Sequence, residues 1–320
     1  MQREVSCAER VSATWRRTNE MPKSVSVVIP TYNYGRFVVD AIRSVLDQTR
    51  PPSEIIVVDD GSTDDTAAVV RRFGDKVRYI RQDNAGVSTA RNRGVSESTC
   101  ELIAFLDADD TWEPTNLEKQ VARFERDEEI GLVHCAMREF ADETGETIRL
   151  NMEGAEDGVA DNLLLWEGPM IVGPGGAVTV TRKAFDHVGG FDTRMKVGED
   201  WDFCYRIARS FKIGFVAEPL VNYRHHSGAA HRNVENMERG MLLFYEKAFA
   251  TDDPEVLKLR RRAYGNFHKV MAGSYLHSGR LGKFLSHAAK GIWMRPANLG
   301  YFLRFPMRRF AAARADLQSK

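Results

Sequence analysis

Short unbroken apolar runs alternate along this chain with stretches in which apolar residues recur every three or four positions. Val25-Ser26-Val27-Val28-Ile29 is the first run, closed by Pro30. Phe37, Ala41, Ile42, Val45 and Leu46 follow at helical spacing, and Pro51-Pro52 ends that stretch. Ile55-Ile56-Val57-Val58 is the second run. A run apolar at every position suits a strand covered on both faces of a parallel sheet, whereas the 3.6-residue spacing suits a helix with one buried face. Strand, helix and strand in this order make a βαβ unit.

The alternation continues. A helix capped by Ser62 or Thr63 is expected to run to about Phe73, then a third strand from Val77 to Arg81, then a helix from Val87 to about Ser96. Leu102-Ile103-Ala104-Phe105-Leu106 is a fourth strand, and it stops at Asp107-Ala108-Asp109-Asp110. Such an order predicts an α/β fold with a doubly wound, mostly parallel sheet. After Pro114 the pattern loosens. Leu117, Val121 and Phe124 suggest a short helix, and Ile130–Met137 with Thr147–Leu150 suggest a hairpin across Asp142-Glu143-Thr144-Gly145. Residues 151–176 are Gly-rich and irregular, which suits either an active-site loop or a surface connector. Ala177–Thr181 reads as a strand, Arg182–Val188 as a helix broken by Gly189-Gly190, and Ile213–Val216 as another strand. A helix begins at Glu199-Asp200, and two more span Val256–Leu276 and Leu281–Trp293.

Composition changes this picture little. Apolar content of 43% and charged content of 28% are those of an ordinary soluble protein. No apolar run approaches the length of a membrane span, and residues 1–22 read as a polar tail without the apolar core of a signal peptide. The four cysteines, Cys7, Cys100, Cys135 and Cys204, have no paired spacing, so free thiols in a reducing cytoplasm are expected. Charge is more informative. The formal net charge is zero, yet residues 229–320 hold 17 Lys and Arg against 7 Asp and Glu, and the first 228 residues hold 28 against 38.

The chemistry gathers at the strand ends, where open parallel sheets bind their ligands. Residues two apart on a strand point the same way, so Asp107 and Asp109 are expected on one face. Two crowded carboxylates suit a hard divalent cation such as Mg²⁺ or Mn²⁺, and such a cation would hold phosphate oxygens. Taken alone, Asp-x-Asp is more often a polar turn ending a strand, with Asp110 as a second metal ligand or a cap. Tyr32 after the first strand can stack on a base, and Asp59 after the second can accept from a base N–H; each alone could be a packed aromatic or a turn residue. Together they describe a pocket for a nucleoside diphosphate. There is no G-x-G-x-x-G after the first strand and no G-x-x-x-x-G-K-[ST], which argues against a dehydrogenase or a P-loop enzyme.

Four segments in order, Val27-Val28-Ile29-Pro30-Thr31-Tyr32-Asn33, Ile56-Val57-Val58-Asp59-Asp60-Gly61-Ser62-Thr63-Asp64, Asn84-Ala85-Gly86 with Ala90-Arg91-Asn92-Arg93-Gly94, and Phe105-Leu106-Asp107-Ala108-Asp109-Asp110, resemble the inverting GT-A glycosyltransferases of family 2 type. The resemblance covers about residues 24–228. It implies a GT-A fold for a catalytic domain at 23–228, which leaves the polar tail at 1–22 and a basic, helical C-terminal extension at 229–320 as separate parts. The catalytic domain would divide into a nucleotide-binding half at 23–112 and an acceptor half at 113–228. It also implies transfer of a hexosyl or N-acetylhexosaminyl group from a nucleotide-sugar donor, with a UDP-sugar the family's habit, to a hydroxyl of a glycan or lipid-linked acceptor. Cell-envelope or surface polysaccharide synthesis is the setting it suggests.

Residue by residue, the resemblance implies donor contacts at Pro30, Tyr32, Asn33, Asp59, Asn84, Arg91 and Asp107, and a metal held by Asp107, Asp109 and His226. Read alone, Arg91 could equally pair with Asp83 or Asp59. The second acid of Glu199-Asp200 matches the family's catalytic base, and Glu199 and Trp201 would lie against the acceptor. On spacing alone, the acids at 199–200 read simply as favourable charges at a helix start. A nucleotidyltransferase would want a Gly-rich, Arg-containing loop after the first strand, and Pro30-Thr31-Tyr32-Asn33 is not one. A degenerate homologue that binds sugar nucleotides, or scaffolds a membrane assembly without catalysis, is the non-enzymatic alternative; Asp107, Asp109 and Asp200 together argue against it.

No acidic residue lies between Glu255 and Asp316, where 13 Lys and Arg fall. Trp293, Tyr301, Phe302, Phe305 and Phe310 alternate there with Arg295, Arg304, Arg308 and Arg309. This composition over 256–315 suits an anionic membrane surface, or a basic cap on the acidic half. Nucleic acid is not expected, because nothing in the catalytic half supports it. The implied location is cytoplasmic, peripheral on the inner face of the membrane.

Overall fold

A computed structural model describes residues 23–226 and 233–304. The expected tail at 1–22, Cys7 and the end of the basic region beyond residue 304 lie outside these residues. Four strands, β1 (Val25–Thr31), β2 (Glu54–Asp59), β3 (Arg78–Arg81) and β4 (Leu102–Phe105), form a parallel edge in the order β3-β2-β1-β4. Three helices connect them: α1 (Gly35–Leu46), α2 (Thr66–Arg71) and α3 (Val87–Ser96). Alternation explains the two layers. Val27, Ile29, Leu102, Ala104 and Leu106 face one apolar cluster with α1, while Val28, Ile103 and Phe105 face the other. Both sets are buried, which is why these strands read as unbroken apolar runs. Gly94 of α3 lies so close to β1 that a Cβ there would stand 2.3 Å from Val28 Cγ1.

The second half makes the sheet mixed. β5 (Thr111–Trp112), β6 (Ile130–Ala141), β7 (Thr147–Asn151), β8 (Val178–Thr181) and β9 (Lys212–His225) extend it to nine strands, continuing the order as β4-β8-β6-β9-β5 with β7 on β6. β8 is antiparallel to β4 and β6, and β6 is parallel to β9. The expected hairpin forms, but on the far end of β6, where Met137 faces Asn151. β9 is much longer than the Ile213–Val216 run suggested; its irregular register with β6 absorbs Glu218-Pro219 and carries the strand on to His225.

Helices α4 (Asn116–Arg126), α5 (Val159–Leu165), α6 (Arg182–Val188) and α7 (Glu199–Ala208) complete this half. Helix α5 lies inside the stretch expected to be irregular. It buries Val159, Leu163, Leu164 and Leu165 and is flanked by left-handed residues at Gly158 and Trp166. The cap expected from Ser62 or Thr63 is not formed. α2 starts later, at Thr66, and the Ser62 hydroxyl instead accepts from the Asn33 N–H at 2.9 Å.

The C-terminal helices are α8 (Val234–Ala248), α9 (Pro254–His277), α10 (Leu281–Met294) and α11 (Asn298–Leu303). α8 and α9 join the same apolar cluster as Phe105 and Phe203, through Phe244, Tyr245, Phe267 and Met271. Tyr245 donates to Leu164 O at 3.0 Å, and Asn266 donates to Leu165 O at 2.7 Å, so α5 is clamped beneath them. Cys100, Cys135 and Cys204 are free and buried.

His134 of β6 ties the 151–176 segment to the sheet. It is fully buried, accepts from the Val172 N–H on Nδ1 at 3.1 Å and donates from Nε2 to Ala155 O at 3.0 Å. Burial lowers its pKa from 6.5 to about 4. The folded state therefore binds this proton less readily than the unfolded chain. Its stability share is complete above about pH 6.5 and is lost as pH falls toward 4, a loss of about 3 kcal/mol. Urea unfolding at pH 7 and pH 4.5 should show that loss in the wild type and a smaller loss in His134→Gln.

Candidate functional site

The site forms where β4 ends against the start of α7. Three glycines and one buried cation make this meeting possible. Arg91 sits on α3, which Gly94 has already brought close to the sheet. Its guanidinium is almost fully buried, and it donates to Asp107 Oδ1 at 2.8 Å and to Glu199 Oε1 at 2.9 Å. Arg91 thus chooses neither Asp83 nor Asp59. Gly198, at φ 77°, starts α7 and puts Glu199, Asp200 and Asp202 in its first turn. Gly175 comes over the top: a Cβ there would be 2.9 Å from Asp107 Oδ2, 3.2 Å from Arg91 Nη2 and 3.4 Å from Asp200 Oδ2. Asp107 and Asp200 therefore turn an oxygen each toward one point.

That point lies in a cavity of about 270 Å³, lined by Asp107, Asp110, Asp200, Glu139, Tyr223 and the Gly173–Gly176 segment. The segment is held by Trp112, whose indole N–H donates to Gly176 O at 3.2 Å. Asp200 accepts from the Trp201 N–H at 2.7 Å. Burial, and then the Glu199 charge, raise its pKa to about 7, against the opposing pull of Arg91.

The other acids separate into distinct roles. Asp109 Oδ2 lies 3.0 Å from His226 Nε2, and Tyr34 packs edge-on to the same imidazole, its phenol held above the ordinary range by burial and the Asp109 charge. Burial and the neighbouring Asp107 push Asp109 upward. Asp110 is not the cap of the following helix, whose N-cap is Thr115. It is buried, accepts from the Arg224 N–H at 2.9 Å, and is pushed well up by burial and by Asp109 and Asp107. Arg224 also donates from Nε to Asp109 O at 2.8 Å, so the end of β9 is stitched to the acidic turn. His225 points elsewhere, to Glu139 at 2.8 Å.

The remaining expected residues fall on the same sheet edge, with uneven access. Pro30 is buried on β1 beside Val58. Tyr32 is exposed. Asn33, at φ 55°, accepts from the Thr63 N–H at 2.8 Å, joining the loops after β1 and β2. Asn84 is exposed, and its backbone lies against Gly61. Asp59 is fully buried and accepts from the Ser62 N–H at 2.7 Å and from the Tyr79 hydroxyl. Glu199 is buried on Arg91. Trp201 donates its indole N–H to Leu163 O at 3.1 Å and packs against Trp166. Sequence reasoning passed over Tyr34 and Arg224. Arg224 carried a signal, since it directly precedes the two histidines; Tyr34 carried none, because only the fold brings it against His226.

Asp109 and His226 supply an oxygen and a nitrogen donor side by side, and Asp107 keeps Oδ2 toward the cavity. Crowded, buried carboxylates with an imidazole fit a divalent cation chemically. The described residues hold no closed cluster of three or more His, Cys, Asp or Glu donors, so a cation here would need ligands from outside the protein.

A parallel β3-β2-β1-β4 edge with carboxylates at its outlet, joined to a mixed half, is the layout of the GT-A fold. The chain belongs to Glycosyl transferase family 2, whose profile it matches over residues 26–189. An uncharacterized glycosyltransferase of Nostoc sp. is 33% identical over 215 residues, which is 65% of this chain and 66% of that one. Another uncharacterized glycosyltransferase, from Rickettsia conorii, is 29% identical over 75% of this chain but only 40% of its own length. Two solved structures share the fold. The mannosyltransferase PcManGT from Pyrobaculum calidifontis, in complex with GDP-Man and Mn²⁺, has a TM-score of 0.62 at 18% identity and covers 96% of this chain and 92% of that one. S. aureus TarS 1–349 in complex with UDP-GlcNAc has a TM-score of 0.59 at 15% identity, covering 85% and 92%.

Removing one member of a buried ion pair strands the other charge at a cost of about 3–5 kcal/mol. Arg91→Met should lose stability on that scale in urea titration. A double variant, Arg91→Met with Glu199→Leu, should recover much of the loss. Equal instability of the single and double variants would show that the pair is not coupled.

Proposed function

We propose that the chain transfers a sugar from a nucleotide-diphosphate donor to an acceptor hydroxyl in a single inverting displacement, with Asp200 as the base. The observation that carries this reading is the convergence of Asp107 and Asp200 on one cavity roofed by Gly175. Asp200 is the carboxylate suited to take a proton. Its raised pKa makes it a stronger base than an ordinary aspartate while leaving much of it ionised near neutrality. The proton passes from the acceptor hydroxyl to Asp200 as that oxygen bonds to the anomeric carbon. The bond to the diphosphate oxygen breaks, and the electron pair leaves with the diphosphate.

The donor reading is supported by the sheet edge. Tyr32 is exposed to meet a base, Asn33 and Asn84 border the same outlet, and Arg91 fixes Asp107. Asp59 would act on the base through the loop it orders, because it is fully buried. UDP-sugar is the donor proposed, in line with the UDP-GlcNAc bound to TarS; the transferred group would be a hexosyl or N-acetylhexosaminyl unit. Mg²⁺ or Mn²⁺ is the proposed cofactor, in line with Mn²⁺ in the mannosyltransferase complex. Asp109, His226 and Asp107 would hold it together with phosphate oxygens of the donor, since the three do not form a closed site by themselves, and when bound it would offset charge on the departing diphosphate. Glu199 then acts by positioning Arg91, and Trp201 by fixing the Asp200 turn against α5. The acceptor proposed is a glycan or lipid-linked hydroxyl in envelope or surface polysaccharide synthesis, met by a protein that works at the cytoplasmic face of the membrane.

Asp200→Asn should abolish transfer while donor binding, read by calorimetry, is retained. Near wild-type turnover in that variant would remove Asp200 as base. In the wild type, kcat/KM should fall about tenfold per unit as pH drops below about 7, because the base must be ionised. For the cofactor, Mn²⁺ titrated into the protein with UDP and followed by electron paramagnetic resonance should bind at least about tenfold more weakly to Asp109→Asn. Unchanged binding would exclude Asp109 as a ligand.

A further inference from the structure

Helix α10 packs Phe284 against the core but turns most of its large apolar residues outward. Among its residues only His287 and Gly291 are buried, whereas Leu281 is 58%, Leu285 57% and Trp293 72% exposed. α11 repeats the pattern, burying Asn298 while Leu299 and Leu303 are 47% and 68% exposed. A surface helix ordinarily turns its apolar stripe to the core and its polar side to water. Here polar contacts, with Phe284, fix a largely opposite orientation. His287 lies 3.0 Å from His268 of α9 and 3.3 Å from Glu238 of α8. Gly291 lets α10 approach α9 closely: a Cβ there would be 3.3 Å from Lys269 N and 3.4 Å from Gly265 O. Asn298 donates to Gly265 O at 2.9 Å and to Gly291 O at 3.1 Å. At about 100° per residue, Leu281, Leu285, Ile292 and Trp293 then fall together on the outward side, with Lys283 and Lys290 along its flank.

We propose that this outer face of α10 and α11 docks the protein on an anionic phospholipid bilayer, which rests on the glycosyltransferase reading above and gives its acceptor a lipid surface. Scattered exposed leucines need no explanation, but five large apolar residues on one helix pair form a patch. Charge selects the occupant. No acidic residue occurs between Glu255 and Asp316. At the Trp293 end, a cleft of about 410 Å³ is lined by Leu257, Lys258, Arg260, Arg261 and Tyr264. Apolar side chains ringed by cations match acyl chains beneath anionic headgroups. A second copy would bring the same cations against themselves, and nucleic acid would leave the leucines unused. No described helix is long and apolar enough to cross a membrane, so the contact is one of lying on the surface.

The test is flotation of the full chain with vesicles of phosphatidylcholine alone or mixed with phosphatidylglycerol. The wild type should float with the anionic vesicles at least tenfold more than with neutral ones. Leu285→Glu combined with Trp293→Glu should lose that binding at least tenfold, with unchanged circular dichroism. Ile148→Glu, on the exposed strand β7, should leave it intact. Equal flotation of the double variant and wild type overturns the proposal, as does equal binding to both vesicle types. So does a wild-type dimer, seen by light scattering, that the double variant dissociates. Donor hydrolysis is measured alongside. If it persists while flotation fails, only the surface is refuted; if flotation succeeds in a protein that neither binds nor hydrolyses a nucleotide sugar, only the glycosyltransferase reading is.

Discussion

One buried guanidinium joins the two halves of this protein. Arg91 reaches from α3 to Asp107 at the end of β4 and to Glu199 at the start of α7, residues far apart in the chain. A charge so deeply buried is tolerable only when its partners are equally fixed. The surrounding architecture is what fixes them. Gly94 lets α3 sit against β1, Gly198 turns the chain into α7, and Gly175 closes over the pair without a side chain to displace it. Phe191, itself stacked on Phe203, lies under the guanidinium with 5.2 Å to the ring centroid. The distance between the acid at the end of β4 and the acid at the start of α7 is thereby set by the same contact that holds the sheet halves together.

The C-terminal helices take part in this positioning. Gly240 of α8 presses on the turn before Asp200, where a Cβ would stand 2.1 Å from Val197 O. Lys247 bridges Asp192 and Asp202 at 2.7 Å each, and Asp202 also holds Arg206 of the same helix. The charge imbalance between the two parts of the chain is partly discharged in such pairs, as also in Arg262 and Arg295 with Glu167. The inner layer, α8 and α9, is thus core and brace. Only the outer layer, α10 and α11, keeps its leucines turned outward, so a cap and a surface for a partner are built from the same segment at different depths.

Much of this was legible in sequence where local rules suffice. The parallel strands β1, β2 and β4 follow from apolar runs too short for helices, and the helices between the strands from 3.6-residue spacing. Helices α3 and α6 have the bounds read from the sequence. Less legible was the second half. Helix α5 lies among glycines, and its apolar run is too short to announce itself; it is stabilised by Tyr245 and Asn266, which come from helices beyond it. β9 continues through Glu218-Pro219 because its partner β6 is present along the whole length, a support no local pattern reveals.

The sequence by itself determined which residues could carry chemistry: the acids after β4, the acid pair opening α7, the histidine after β9, and the family to which they belong. Tertiary structure alone decided their relations. Arg91 took Asp107 and Glu199 rather than Asp83 or Asp59 because α3 points it under the sheet edge. Asp110 became an internal anchor for Arg224, while Asp109, one residue earlier, met His226. Adjacent carboxylates in a turn project in different directions, and what each direction meets depends on strands and helices that are remote in sequence. The acids were written in a line; their separate tasks arise only when the fold surrounds them.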